Sequence, residues 1–587
     1  MKTRFLSFLL VLVLMTTLVL ASCGPADDGT PDPTDQPATS KPGDENGTGS
    51  EVTDDVPKFE DLEFGDTLPT SYTKADPDWY AYDDLTEKYS LSILSHHYGQ
   101  PVDSENDAVR AWLEDKFNLD IEFETVAQAD METIISTRFS AGTEPDLFWT
   151  YNDSIGKELA QQDLTIDARL IYPYMPQTVQ FVTSSMIEWS KFDDSGRLPF
   201  ITKYGIQDGI WGFAIRTDWL KKFNMQKPKT KEELMAYAKA ATFEDPDGNG
   251  IDDTYFMTGA GNGMGWGMLG GFNTMVGNPQ ARVENGQLVH PMFDGSQRKF
   301  LELLNEFYEA GVLAPDYFII EWEQAKAYTL NDKIGMLWYP AGALLTEYID
   351  VHGRDNTDNI YVWEFLEDPP IEGGKWAPSG NPGYTWAFSK RGFSDGGEIN
   401  FGKLKRVAHM LDTMVMGGEN YFHSIQGSTM EVWEAFGVTP ETERKMVYND
   451  DGTFYIEDEQ PAGYPFKEGP EVGPWQVFGL NVAWQRNAPT GANEFEEALN
   501  KYTNAQNDII LGYDRWPNDA LLSNVPEGAI APNLSDYALA QDLAFVEGNR
   551  SFDEWDAYQQ EWLDMGGRDV IAAMAEKLGV PVPDYAQ

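Results

Sequence analysis

The chain has 587 residues, with 96 acidic against 42 basic side chains, a formal net charge of −54, one cysteine and 13% aromatic residues. A field of that sign repels nucleic acid and other polyanions, and a lone cysteine excludes an internal disulfide. The length exceeds what one core ordinarily supports, so at least two lobes are expected.

At the amino end, Lys2 and Arg4 precede an apolar run from Phe5 to Leu20. That run is shorter than the roughly 20 residues a spanning helix needs, so a cleavable secretory signal over 1–22 is expected instead of a membrane span. Residues 24–57 contain no aromatic side chain and almost nothing apolar. They cannot bury enough surface to offset ordering entropy, and 23–57 reads as a disordered tether.

From 88 to 97, "KYSLSILSHH" alternates as a strand does. In 103–126, Val109, Trp112, Leu113 and Phe117 fall at helical spacing before Ile121 and Phe123 alternate. Residues 131–152 repeat the order, helix and then a short buried strand "DLFWTY". Strands alternating with helices predict an α/β lobe with a largely parallel sheet. A second α/β set begins near 209–225. It includes a helix over 227–242 with Thr230 at its cap and Glu233 three residues on, the pattern of a capping box. Helices are expected at 297–310 and 403–416, and a strand running into a turn at 333–342. In 551–567, Ser551 and Glu554 form another capping box, and Trp555, Tyr558, Trp562 and Met565 share one helical face expected to dock on the second lobe.

Several signatures are missing. "GNGMGWGMLGGF" (261–272) is glycine-rich but has no lysine for a phosphate, and no G-x-x-x-x-G-K-[ST], H-E-x-x-H or G-x-S-x-G occurs. His96 and His97, adjacent on a strand, point to opposite faces and make a poor pair of metal ligands. Pairs of carboxyls are inevitable among 96, so they are no sign of glycoside hydrolysis.

Residues 245–253, "DPDGNGIDD", place Asp245, Asp247 and Asn249 at alternate positions, then Gly250, the Ile251 carbonyl and Asp253. These match positions 1, 3, 5, 6, 7 and 9 of a calcium loop. Position 12, where such loops have a bidentate Glu, is Phe256. The alternative is a polar turn holding no ion.

The stretch ending Leu20-Ala21-Ser22-Cys23 resembles the lipobox of bacterial lipoproteins, which implies diacylglycerol on the Cys23 thiol and acyl chains such as palmitate in a membrane. "EPDLFWTY" (144–151), 211–253, "AGVLAPDYF" (310–318), "KIGMLW" (333–338), "MGGENYFHSIQG" (416–427) and 549–571 together resemble the extracellular solute-binding proteins of family 1. Within it they are similar to the large lipoprotein branch that includes alginate-oligosaccharide-binding proteins. The resemblance implies a two-lobe α/β fold of the type II periplasmic-binding class, closing by a hinge over a ligand cleft. Carried over, lobe 1 holds 85–205 plus 330–390 and lobe 2 holds 206–329 plus 391–587. It also implies structural calcium in the 245–253 loop, with a carboxylate directly after the position-9 acid. That place here is Thr254, which could offer its hydroxyl or carbonyl; water or Asp252 could serve instead.

Sugar sites combine aromatic platforms with amides and carboxylates. At strand ends and loops the candidates are Trp149 and Tyr151 with Asn152 and Asp153 beside them, Trp266 among flexible glycines, Trp338 and Tyr339, and Tyr384 and Trp386. The expectation is a monomeric, lipid-anchored receptor on the outer face of a bacterial membrane. It would be no enzyme and would hand an oligosaccharide to the permease subunits of an ABC importer with a separate ATPase. The alternatives are a surface enzyme acting on polysaccharide and a sugar sensor feeding a membrane kinase.

Overall fold

The computed structural model describes residues 56–66, 73, 75–97, 101–102, 107–127, 130–150, 153–193, 195–202, 211–378, 385–415, 420, 446–448, 454–456, 475, 478, 491, 493–518, 525 and 527–587. All lie in one compact unit, Asp54–Gln587. The expected signal, Cys23 and most of the tether lie outside the described residues, as do Tyr151, Asn152 and Tyr384.

Two sheets, each with its own core, organise the unit. The first begins with β1 (Tyr89–His96), α1 (Ala108–Phe117), β2 (Leu119–Val126), α2 (Met131–Ala141), β3 (Leu147–Thr150) and α3 (Asp153–Gln161). The second is made by β4 (Trp211–Arg216), β5 (Met336–Pro340) and β6 (Trp363–Phe365), after which β7 (Thr385–Phe388) returns to the edge of the first. The strand orders are β2-β1-β3-β7 and β5-β4-β6. β1 runs parallel to β2 and β3, β7 is antiparallel to β3, and both partners of β4 are antiparallel to it.

Local signals set the element ends. The Asp107 carboxylate accepts the Arg110 N–H at 2.8 Å to start α1, and Asn118, at φ 46°, stops it. The face so created buries Val109, Leu113 and Phe117 in the first core. Around the second sheet pack α4 (Lys231–Phe243), α5 (Ser296–Glu309), α6 (Trp322–Leu330) and α7 (Ala341–His352). The Thr230 hydroxyl accepts the Glu233 N–H at 3.2 Å, while Glu233 accepts from the Lys229 N–H at 2.8 Å, one residue ahead of a strict capping box.

Two of the expected lobe limits are corrected. Of 330–390, residues 336–340 and 363–365 are strands of the second sheet, and only Thr385–Phe388 joins the first. From 391 on, α8 (Phe401–Thr413) buries Leu404, Val407 and Leu411 in the first core beside Trp475 and Phe478. α9 (Glu494–Leu511), α10 (Leu534–Val546), α11 (Trp555–Trp562) and α12 (Arg568–Leu578) complete the second. Pairing partners more than a hundred residues apart decide these memberships, and no local pattern reports them.

Trp555, Tyr558 and Trp562 dock as expected, but Met565 stays 41% exposed. Residues Leu563–Gly567 form a π-turn in which Gly566 takes φ 116°, and this rotates Met565 off the buried face. Among the described residues no helix is long and apolar enough to cross a membrane.

Candidate ligand-binding site

Period-two alternation puts Trp211, Phe213 and Ile215 on one face of β4. The register pairs Phe213 with Trp338 and Gly212 with Tyr339. Trp338 is therefore the diagonal neighbour of Trp211, with ring centroids 4.3 Å apart. Tyr339 points to the other face, where Trp322, the first residue of α6, stacks on it at 5.3 Å and 9°. The same Trp322 lies 5.9 Å from Trp211, so four rings form a continuous group at the strand end. Trp211, Trp322 and Trp338 are partly exposed and Tyr339 is buried. The Tyr339 hydroxyl donates to Glu347 at 2.9 Å, and Lys326 donates to the other Glu347 oxygen at 2.7 Å. Burial first, and Glu347 next, raise the Tyr339 pKa, so the phenol stays a donor.

This end of the second sheet is where the chain arrives from the first. Ile201 pairs with Trp386 of β7, and ten residues later Trp211 opens β4. Sequence reasoning named Trp338 and Tyr339 but not Trp211 or Trp322, which strand register and ring contacts bring beside them. Part of their signal was available: Trp211 opens a strand, and so stands at a strand end.

Trp266 is not on a flexible loop, and its ring contacts are to other residues of the second core. A Cβ on Gly261 would meet the Gly265 carbonyl oxygen at 1.9 Å, and one on Gly267 would meet the Ala260 carbonyl carbon at 2.6 Å. The glycines let backbone pack on backbone, and Trp266 is wedged edge-on against Phe300 and Phe318 at 5.9 and 5.5 Å. At the rim, Met264 and Ile319 are 73% and 67% exposed.

On the first sheet Trp149 and Trp386 are register partners and are 0% and 1% exposed. Trp149 stacks on His96 at 3.7 Å, and Trp386 on Phe478 at 4.4 Å. They are core residues with no ring face open to a ligand, a correction to their expected role. Asp153 is the first residue of α3, at the carboxyl end of β3.

A cavity of about 670 Å³ lies at the opposite end of the second sheet, lined by Arg216, Asp218, Trp219, Asp332, Tyr348 and His352 among others. Arg216 closes β4 there. Its guanidinium donates twice to Asp218, at 2.8 and 2.6 Å, and to Asp332 at 2.5 Å. It also sits over the rings of Trp219 and Trp363, at 4.8 and 5.4 Å. These contacts tie Arg216 into the second core.

The 245–254 loop is closed by its own groups. Gly250 N–H donates to Asp245 Oδ2 at 3.2 Å and Ile251 N–H to Asn249 Oδ1 at 2.6 Å. The Asn249 amide nitrogen donates to Asp247 Oδ2 at 2.8 Å and Asp253 Oδ1 at 3.1 Å. Lys333, which no loop spacing could reveal, donates to Asp247 Oδ2 at 2.9 Å and pairs with Asp253 Oδ2 at 2.8 Å. Burial, which lowers the Lys333 pKa, is outweighed by Asp253 and Asp247, which raise it. The Asp253 carboxyl is held low chiefly by Lys333. Two buried oxygens have no hydrogen-bond partner, Asp245 Oδ1 and Thr254 Oγ1. Ile251 is 59% exposed, and Phe256, at the twelfth position, is fully buried. Among the described residues no group of three or more His, Cys, Asp or Glu is placed to hold a metal ion. The unspent oxygens suit a cation, whereas the two central carboxylates already have one.

The architecture is that of a two-lobe, type II periplasmic solute-binding protein. Residues 101–289 match the family model described as bacterial extracellular solute-binding protein. The polygalacturonan/rhamnogalacturonan-binding protein YtcQ of Bacillus subtilis (strain 168) is 23% identical over 374 residues, 62% of this chain and 67% of that one. Lipoprotein LipO of the same organism is 32% identical over 129 residues, 21% of this chain and only 25% of LipO. Among solved structures, the Streptococcus pneumoniae ABC-transporter substrate-binding protein FusA in complex with kestose superposes with a TM-score of 0.57 at 16% identity. That match covers 83% of this chain and 98% of FusA. YtcQ and FusA are both binding proteins by name.

Proposed function

We propose that the protein captures an oligosaccharide between its lobes and delivers it to the permease subunits of an ABC importer, whose ATPase is a separate chain. The observation that carries this reading is the ring group of Trp211, Trp322, Trp338 and Tyr339 at the end of the second sheet. Flat apolar rings beside a donor network match the C–H faces and hydroxyl edges of a sugar. The sugar-binding relative YtcQ supports it. The reading includes a lipid anchor on Cys23, which keeps the receptor at the outer face of the membrane, and a working monomer. Calcium enters it as an occupant of the 245–254 loop that must contend with Lys333.

Titration calorimetry against a panel of neutral and acidic oligosaccharides tests the proposal. Saturable binding to at least one sugar class is expected, with quenching or a shift of tryptophan fluorescence. Binding of peptides alone, or of no glycan in a broad panel, would overturn it.

A further inference from the structure

We propose that Lys333 is the resident cation of the 245–254 loop: its ammonium occupies the place between Asp247 and Asp253 that a divalent ion would need, so calcium binds there only by displacing it. The geometry is two-sided. The ammonium lies 2.9 Å from Asp247 Oδ2 and 2.8 Å from Asp253 Oδ2. Calcium takes six to eight oxygens at about 2.3–2.6 Å, and bare cations at such separations repel strongly, so the two occupants exclude each other. The lysine is delivered by a fixed backbone. Lys333 carbonyl accepts the Tyr255 N–H at 2.8 Å, Tyr255 carbonyl accepts the Gly335 N–H at 2.9 Å, and Tyr255 bridges Ile334.

A second lysine neutralises the entrance to the loop. The Lys222 ammonium donates to the carbonyls of Asp245 and Pro246 at 2.6 and 3.1 Å. Those carbonyls are the partially negative groups that a bare loop would leave facing its acids. The unpartnered oxygens, Asp245 Oδ1 and Thr254 Oγ1, even with the Ile251 carbonyl added, are too few for a calcium shell unless the Asp247 and Asp253 carboxylates are released. The loop therefore keeps its shape without an added ion, and calcium is an optional guest. Because Lys333 lies three residues before β5, the same ion pairs tie the loop to the root of the strand that ends in Trp338 and Tyr339.

The test uses the whole soluble chain and calcium alone, independent of any sugar. Thermal melting of the wild-type protein is expected to be the same in chelator and in millimolar calcium. Lys333→Met is expected to melt lower in chelator, to recover with calcium, and to bind calcium at least about tenfold more tightly than wild type by calorimetry. Lys333→Arg, which keeps the charge, should melt like wild type in both buffers. A wild-type melting point that drops on chelation overturns the proposal, as does a Lys333→Met protein whose calcium affinity equals that of wild type. If Lys333→Met folds only with calcium, the proposal is upheld. If it folds in neither buffer, the wild-type comparison with chelator decides alone.

Discussion

Trp211 and Trp338 lie on the same face of neighbouring antiparallel strands with ring centroids 4.3 Å apart and planes inclined by 34°. Neither ring is fully covered, whereas Trp149 on the other sheet is. Replacing Trp211 by Ala is expected to weaken oligosaccharide binding about tenfold or more, about 1.4 kcal/mol, with a small change in melting temperature. Replacing Trp149 by Ala should instead cost about 3–5 kcal/mol of stability. Calorimetry and thermal melts on both variants separate the roles; unchanged affinity in Trp211→Ala removes that ring from the site.

The glycine-rich turn makes a sharp prediction about position. At Gly261 a methyl group would strike backbone at 1.9 Å, and at Gly265 it would meet nothing within 4 Å. Gly261→Ala should therefore lower the melting temperature by several degrees and loosen Trp266, while Gly265→Ala should leave both unchanged. Paired thermal melts are enough to check this, and equal behaviour of the two variants would refute it.

Three buried carboxyls give the protein a distinctive response to pH. Burial is the largest cause in pushing Asp542 and Asp107 up to about 7 and Asp412 to about 6, against hydrogen bonds from Tyr558 and Gln297, from Trp475 and Arg110, and from Thr178 and Gln177. A carboxyl with a raised folded-state pKa binds its proton more tightly when folded. Its contribution is present below the unfolded value of about 4 and is lost as pH rises through the folded value. The melting temperature is expected to fall between about pH 4 and about pH 7, and Asp542→Asn should flatten that slope. Acids held low by cations, such as Asp253, release their contribution only below this window.

Arg216 tests how far charge can be exchanged. Its side chain is 4% exposed and grips Asp218 with both arms, so Arg216→Lys loses the forked geometry and the ring contacts together. Because Asp218 remains 43% exposed and can be rehydrated, a loss of about 2 kcal/mol is expected, below that for a fully buried pair. Denaturant unfolding measures it, and a lysine variant as stable as wild type would show that the fork contributes little.

Elements governed by near neighbours were legible in the sequence. The helix over 231–243 announces itself through Thr230 and Glu233, and the α1 face through Val109, Leu113 and Phe117. What was not legible depends on distant pairing. Trp211 could not be matched to Trp338, or Asp247 to Lys333, because alternation fixes a face but names no partner. The acidic loop shows the limit well: spacing alone matched most of a calcium loop but could not name Lys333, eighty-six positions away from Asp247. Trp149 and Trp386 mislead for a related reason, since a strand end facing a cleft and one covered by other core rings share the same local pattern.

The first core has a property that bears on how the protein is made. Its N-terminal strands wait for β7, then for Leu404, Val407 and Leu411, and finally for Trp475 and Phe478. Neither lobe is a continuous stretch of chain, so no early fragment can seal its apolar interior. A chain cut short upstream of residue 478 therefore forfeits part of the first core as well as the tail.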